Sequence, residues 1–121
     1  MRREDLLDLI RNDEDSGLEF KRDDVTPQDV AKEIVAFLNL AGGTILLGVE
    51  DDGTVSGTVR PRLDEWVVEL CRKKIEPPII PYLTWAKEVE PGKDVLAVRV
   101  PAGPDKPYQP VAKVAPLTIS A

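Results

Sequence analysis

"VAFLNLAGGTILLGVEDDG", residues 35–53, is the stretch that decides the fold. It opens on a helical apolar stripe, passes through a pair of glycines, and continues as "TILLGVE" (44–50), apolar on both faces except at Gly48. Such a run is what a central strand requires. Read backward, the segment belongs to "TPQDVAKEIVAFLNLAGG", the clearest helix in the chain. Thr26 can cap it, Pro27 suits the first helical position, and Asp29 favours the positive end of the dipole. Val30, Ile34, Phe37, Leu38 and Ala41 make one apolar stripe. Gly42 and Gly43 stop the helix where a left-handed residue can close its last carbonyls.

Working outward, "SGLEFKRDD" (16–24) alternates Leu18 and Phe20 with Glu19 and Lys21, predicting a half-buried strand over 18–22. Before it, Leu6, Leu7 and Ile10 predict a short amphipathic helix over 3–11, and "NDEDSG" (12–17) reads as a solvated turn. Downstream, "DDG" (51–53) predicts a hairpin turn with "TVSGTV" (54–59) as the returning strand. A second helix is expected from Pro61 to Lys74, with Leu63, Trp66, Val67 and Leu70 inward. Its basic end, Arg72-Lys73-Lys74, suits the negative pole of the dipole, and Pro77-Pro78 forbid continuation. "YLTWAKEVE" and "DVLAVRVP" flank Pro91-Gly92 as a second hairpin, and the tail holds room for one further short strand. The expected fold is one α+β domain over residues 1–121, a mixed β-sheet with two or three helices packed on it.

The totals exclude several classes of function. Sixteen basic against twenty-two acidic side chains leave a formal charge of −6, which argues against a surface that grips nucleic acid all over. Histidine is absent, removing the commonest general base, the commonest zinc ligand and every Ser-His-Asp triad. Catalysis, if present, must run on carboxylates, lysine or a bound metal. Cys71 is the lone cysteine and has no partner for an internal disulfide; with no secretory leader and no uninterrupted membrane span, a cytoplasmic location is expected. Gly42 and Gly43 could form a phosphate-binding turn, which would suit a nucleotide-binding regulatory domain. The segment matches neither the P-loop nor the dinucleotide pattern, so a plain turn is the simpler reading.

Four segments in series carry a resemblance: "EDSGLEFKR", "VAFLNLAGGTILLGVEDDGTVSG", "IEPPI" and "GKDVLAVRVPAGPDKPY". In order and spacing they resemble the Schlafen/AlbA-like domain over about residues 12–108. The resemblance implies an α+β fold and a nucleic-acid partner, DNA or RNA, with DNA binding in a transcriptional regulator as the leading function. It also implies an alternative, the metal-dependent endoribonuclease of the Schlafen branch. There Glu14, Glu19 and Asp51 would hold Mg or Mn and Lys21 would contact the scissile phosphate. Binding alone would require no cofactor. Candidate nucleic-acid contacts are Lys21, Arg22, Arg72, Lys73 and Lys74, with Arg60 and Arg62 near the first hairpin; each also reads as a solvated charge. Phe20, Phe37 and Trp66 belong to core patterns, leaving Tyr82, Trp85 and Tyr108 uncommitted, so backbone contact is expected over base stacking. Relatives usually continue past "KPY" with an aromatic, basic strand, whereas "QPVAKVAPLTISA" carries Lys113 as its one cation. So few cations favour a homodimer, which would double the contacts.

Overall fold

The computed structural model describes residues 1–11 and 17–111. In chain order it contains α1 (Arg3–Arg11), β1 (Leu18–Lys21), α2 (Pro27–Asn39), β2 (Gly43–Leu47), α3 (Leu63–Lys73), β3 (Ile75–Glu76), β4 (Tyr82–Glu90), β5 (Lys93–Val100) and β6 (Gln109–Pro110). Four strands form a mixed sheet in the order β1-β2-β5-β4, and β3 pairs with β6 in a small second sheet. β1 runs parallel to β2 through the α2 crossover, while β5 is antiparallel to both β2 and β4. The α+β class with a mixed sheet and three helices is therefore the fold. No helix among the described residues is long and apolar enough to cross a membrane.

The parallel pair exists because α2 starts and stops where its sequence dictates. Thr26 Oγ1 accepts the Asp29 N–H at 3.2 Å, and Pro27 occupies the first turn. At the far end Gly42, at φ +84°, donates its N–H to the Phe37 carbonyl at 2.9 Å. A Cβ on Gly42 would lie 2.7 Å from the Val100 carbonyl oxygen, so only glycine lets this turn press against β5. The chain then enters β2 at the heart of the sheet.

Two apolar layers follow from strand alternation. On one face Ile45, Leu47, Leu96, Val98 and Val100 pack beneath Val30, Ile34 and Leu38 of α2 and Leu63, Val67 and Leu70 of α3. On the other, Leu46, Ala86, Val95 and Ala97 pack with Leu6 of α1, joined by Leu18 and Phe20 from β1. Each fully buried Leu, Ile or Val contributes about 1.5–3 kcal/mol.

Three expectations change. Residues 54–59 do not return as a strand; they make a single bridge, Val49 to Val55, and β5 takes the place beside β2. Gly48 (φ +104°) and Gly57 (φ +83°) turn the chain away, and the Ser56 and Gly57 N–H groups both donate to the Gly48 carbonyl. Helix α3 starts at Leu63 and not Pro61, because Arg62 is left-handed at φ 53° and offers no side-chain cap. Ala41 is exposed at the turn, and Ala31 and Val35 complete the buried stripe of α2.

Candidate functional site

β1 pairs with β2 so that Glu19 lies opposite Ile45 and Lys21 opposite Leu47. Ile45 and Leu47 face α2, so Glu19 and Lys21 project to the same side, at the rim of the helix-covered layer. Their apolar neighbours Leu18 and Phe20 turn to the α1 side. Lys21 Nζ lies 3.9 Å from Glu19 Oε2. The Glu19 carboxyl also shares a hydrogen bond with Glu33 of α2, and this raises its pKa to about 7; partial burial and the Glu33 charge add to the rise. Lys21 opposes that shift and the negative charge of Asp51 reinforces it. Glu19 and Asp51 are therefore within electrostatic reach of one another. Glu14 lies outside the described residues. Among the described residues no three acidic or sulfur-bearing groups come together as a metal-holding set.

Glu33 was missed by sequence reading. The signal was present: it precedes Ile34 beside the α2 stripe, and a crossover between parallel strands lays that flank over the polar residues of β1. Without the parallel pairing, nothing in the sequence connects residues 19 and 33.

The candidate cations divide by partner. Arg22 Nε lies 3.6 Å from Asp24 and 3.7 Å from Glu50. Arg72 and Lys73 both pair with Glu69, at 2.9 and 3.3 Å, and these contacts hold the Glu69 carboxyl below its ordinary value. Arg62 pairs with Glu65, while Arg60 donates to the Val25 carbonyl and sits 4.0 Å over the Trp66 ring. Lys74 has no side-chain partner among the described residues. It lines a cleft of about 240 Å³ with Lys32, Gln28, Ala31, Pro110 and Val111, and Lys32 is unpaired as well. The Gly42-Gly43 turn lines a different cleft, of about 310 Å³, together with Gly17, Thr44, Arg99 and Pro101. The Gly42 N–H is already committed to the Phe37 carbonyl and does not point a donor into this cleft.

Two buried polar groups serve the framework. Asp23 is 9% exposed, and its Oδ2 accepts the N–H groups of Val59 and Arg60, each at 2.7 Å, pinning the loop before α3. Asn39 exchanges two hydrogen bonds with the Tyr108 backbone, at 2.9 and 2.7 Å, and the Tyr108 ring fills the space over Gly103. Burial pushes the Cys71 thiol up to about 12, which leaves it without nucleophilic character.

Residues 14–116 match the family model described as Schlafen, AlbA_2. The fold is similar to the N-terminal domain of a RecG-related protein from Nitrosomonas europaea, solved by solution NMR: TM-score 0.75 and 27% identity, covering 98% of this chain and 86% of that one. It is also similar in fold to a Corynebacterium diphtheriae protein, with TM-score 0.64 and 20% identity over 89% of this chain and 24% of that one. No curated protein matches the sequence.

Proposed function

The chain belongs to the Schlafen AlbA_2 family over residues 14–116, and from that premise we propose that it is a nucleic-acid-binding module, DNA-binding within a transcriptional regulator. The neighbour from Nitrosomonas europaea is named for a relation to RecG, an ATP-dependent DNA helicase, which supports the same partner class. The observation that carries the reading is the pair of unneutralised ammonium groups in one cleft, Lys32 and Lys74. Every other described lysine holds a protein partner: Lys21, Lys73 and Lys87 are ion-paired, and Lys93 and Lys106 donate to carbonyls. Two free point charges beside the end of α3 suit a phosphate backbone. Arg72 and Lys73 can join by exchanging Glu69 for a phosphate. Such binding needs no cofactor, and a homodimer in the cytoplasm would pair two of these clefts.

The test is anisotropy of a labelled DNA duplex titrated with protein across a salt series. The Lys32→Ala/Lys74→Ala double variant should bind about tenfold more weakly and lower the salt slope by about 2. Binding indifferent to salt, or untouched by the double variant, would remove the reading.

A second reading, a metal-dependent endoribonuclease, is favoured by one observation: the negative charges of Glu33 and Asp51 both bear on Glu19. A divalent cation relieves such crowding. Glu19 and Asp51 would supply two carboxylates for Mg²⁺ or Mn²⁺ and Glu14 the third. Structured RNA left intact in Mn²⁺, or cut equally well by Glu19→Ala, ends this reading.

A further inference from the structure

We infer that the open part of the α1-side sheet face, carried by Arg99 and Tyr82, binds a single-stranded nucleic-acid segment. A phosphate lies on the guanidinium and a base is stacked on the ring. The inference rests on the proposed nucleic-acid function and adds the form of the ligand and the face that takes it.

Register makes the placement. Arg99 of β5 lies opposite Thr44 on β2 and opposite Tyr82 on β4, so the three side chains form one row across the sheet. Ala97, two residues from Arg99, and Ala86, four residues from Tyr82, pack with Leu6 of α1, which fixes the row on the α1 side. Arg99 and Tyr82 are nevertheless exposed, Tyr82 by 63%. Among the described residues α1 covers the middle of this face and nothing covers its end.

The chemistry of the row is unusual for this molecule. Among the described residues Arg99 is the arginine with neither an ion pair nor a hydrogen bond. Arg2, Arg11, Arg22, Arg62 and Arg72 face carboxylates, Arg3 faces Glu90, and Arg60 is held by Val25 and Trp66. Among the described residues Tyr82 is the one exposed aromatic ring: Phe20, Phe37, Trp66 and Trp85 are half-buried, and Tyr108 is buried. The unpaired arginine and the bare ring are thus direct cross-strand neighbours. A guanidinium beside a free π-face complements a single strand, whose phosphates and unstacked bases alternate at this scale. A duplex hides its base faces and leaves Tyr82 no partner. Arg99 also lines the cleft of about 310 Å³ at the Gly42-Gly43 turn, which gives a phosphate on its guanidinium a recess beside the row.

The experiment compares a labelled single-stranded DNA of about 12 nucleotides with the duplex of the same sequence, by anisotropy. Tyr82→Ala and Arg99→Ala should each weaken single-strand binding about tenfold, with duplex binding and the thermal melt unchanged. Arg99→Ala should also reduce the single-strand salt slope by about 1. If both variants bind the single strand as the wild type does, while Lys32→Ala/Lys74→Ala loses it, the inference falls and the nucleic-acid reading stands. A wild-type chain that binds neither form removes both. Should Arg99→Glu instead dissociate a dimer in sedimentation, with single-strand binding unaltered, the face is a contact between copies and the inference is overturned.

Discussion

On its α2–α3 side the sheet buries Ile45, Leu47, Leu96, Val98 and Val100 beneath helices of 13 and 11 residues. On its α1 side the same sheet places Leu46, Val95 and Ala97 under a helix of nine residues, and carries Thr44, Arg99 and Tyr82 in one row beyond them. Helix length explains much of the contrast. Nine helical residues span about 13 Å, whereas the eight residues of β5 extend about 27 Å. A helix of that length can cover at most about half the length of these strands. The lesson is one of division: the face that carries the core has no surplus surface, and the shorter-covered face keeps polar and aromatic groups that folding does not use.

The largest expected effect tests that division directly. Ile34→Ala, on the fully covered face, should lower stability by about 3 kcal/mol in urea unfolding, from lost burial and the cavity left behind. Tyr82→Ala, on the open face, should stay within about 0.5 kcal/mol of the wild type. Similar losses for both would mean that Tyr82 is packed and that the two faces do not differ.

A somewhat smaller effect is expected at the loop between the hairpin turn and α3. Asp23→Ala strips the acceptor from two backbone N–H groups, Val59 and Arg60, and should cost about 2 kcal/mol. Asp23→Asn keeps an acceptor and should lose less. The unpartnered Asp23 Oδ1 makes the second variant informative: it can carry the new amide without breaking a hydrogen bond among the described residues. If Asp23→Ala melts with the wild type, the loop is held by the Trp66–Arg60 stack and not by the carboxylate.

The covered face was legible because its signals are local. The Thr26-Pro27 start, the apolar stripe and the Gly42 stop of α2 each act within a few residues, and "TILLGVE" declares burial on both sides. The Pro91-Gly92 hairpin was legible for the same reason. What failed was the choice of partner for β2. "TVSGTV" alternates well enough to pass for a strand, but positive φ at Gly48 and Gly57 takes it out of the sheet, and β5 arrives from far along the chain. The candidate site divides likewise. Glu19 and Asp51 were named from a motif, whereas Glu33 reaches Glu19 only through the parallel crossover. Arg99 and Tyr82 meet only through a register that no short window contains.

The smallest effect concerns the rim of the covered face and depends on pH. Folding raises the Glu19 pKa from 4.5 to about 7, chiefly through the hydrogen bond with Glu33. Between those values the folded chain holds a proton that the unfolded chain has released. The resulting stabilisation is fully present below about pH 4.5 and is lost as pH rises through about 7. Asp52 and Glu69 shift downward, so their contributions have the opposite sign and change only in acid, below their ordinary values. A melt followed from pH 5 to pH 8 therefore isolates Glu19. Glu19→Gln keeps a donor for Glu33 at every pH and should raise Tm by about 2 °C at pH 8, with little change at pH 5. The Glu19 side chain is 40% exposed, and solvent screening keeps the effect well below that of full burial. An equal shift at both pH values would mean that the variant acts through packing, leaving no shared proton at the rim to set against the neutral apolar layer beneath it.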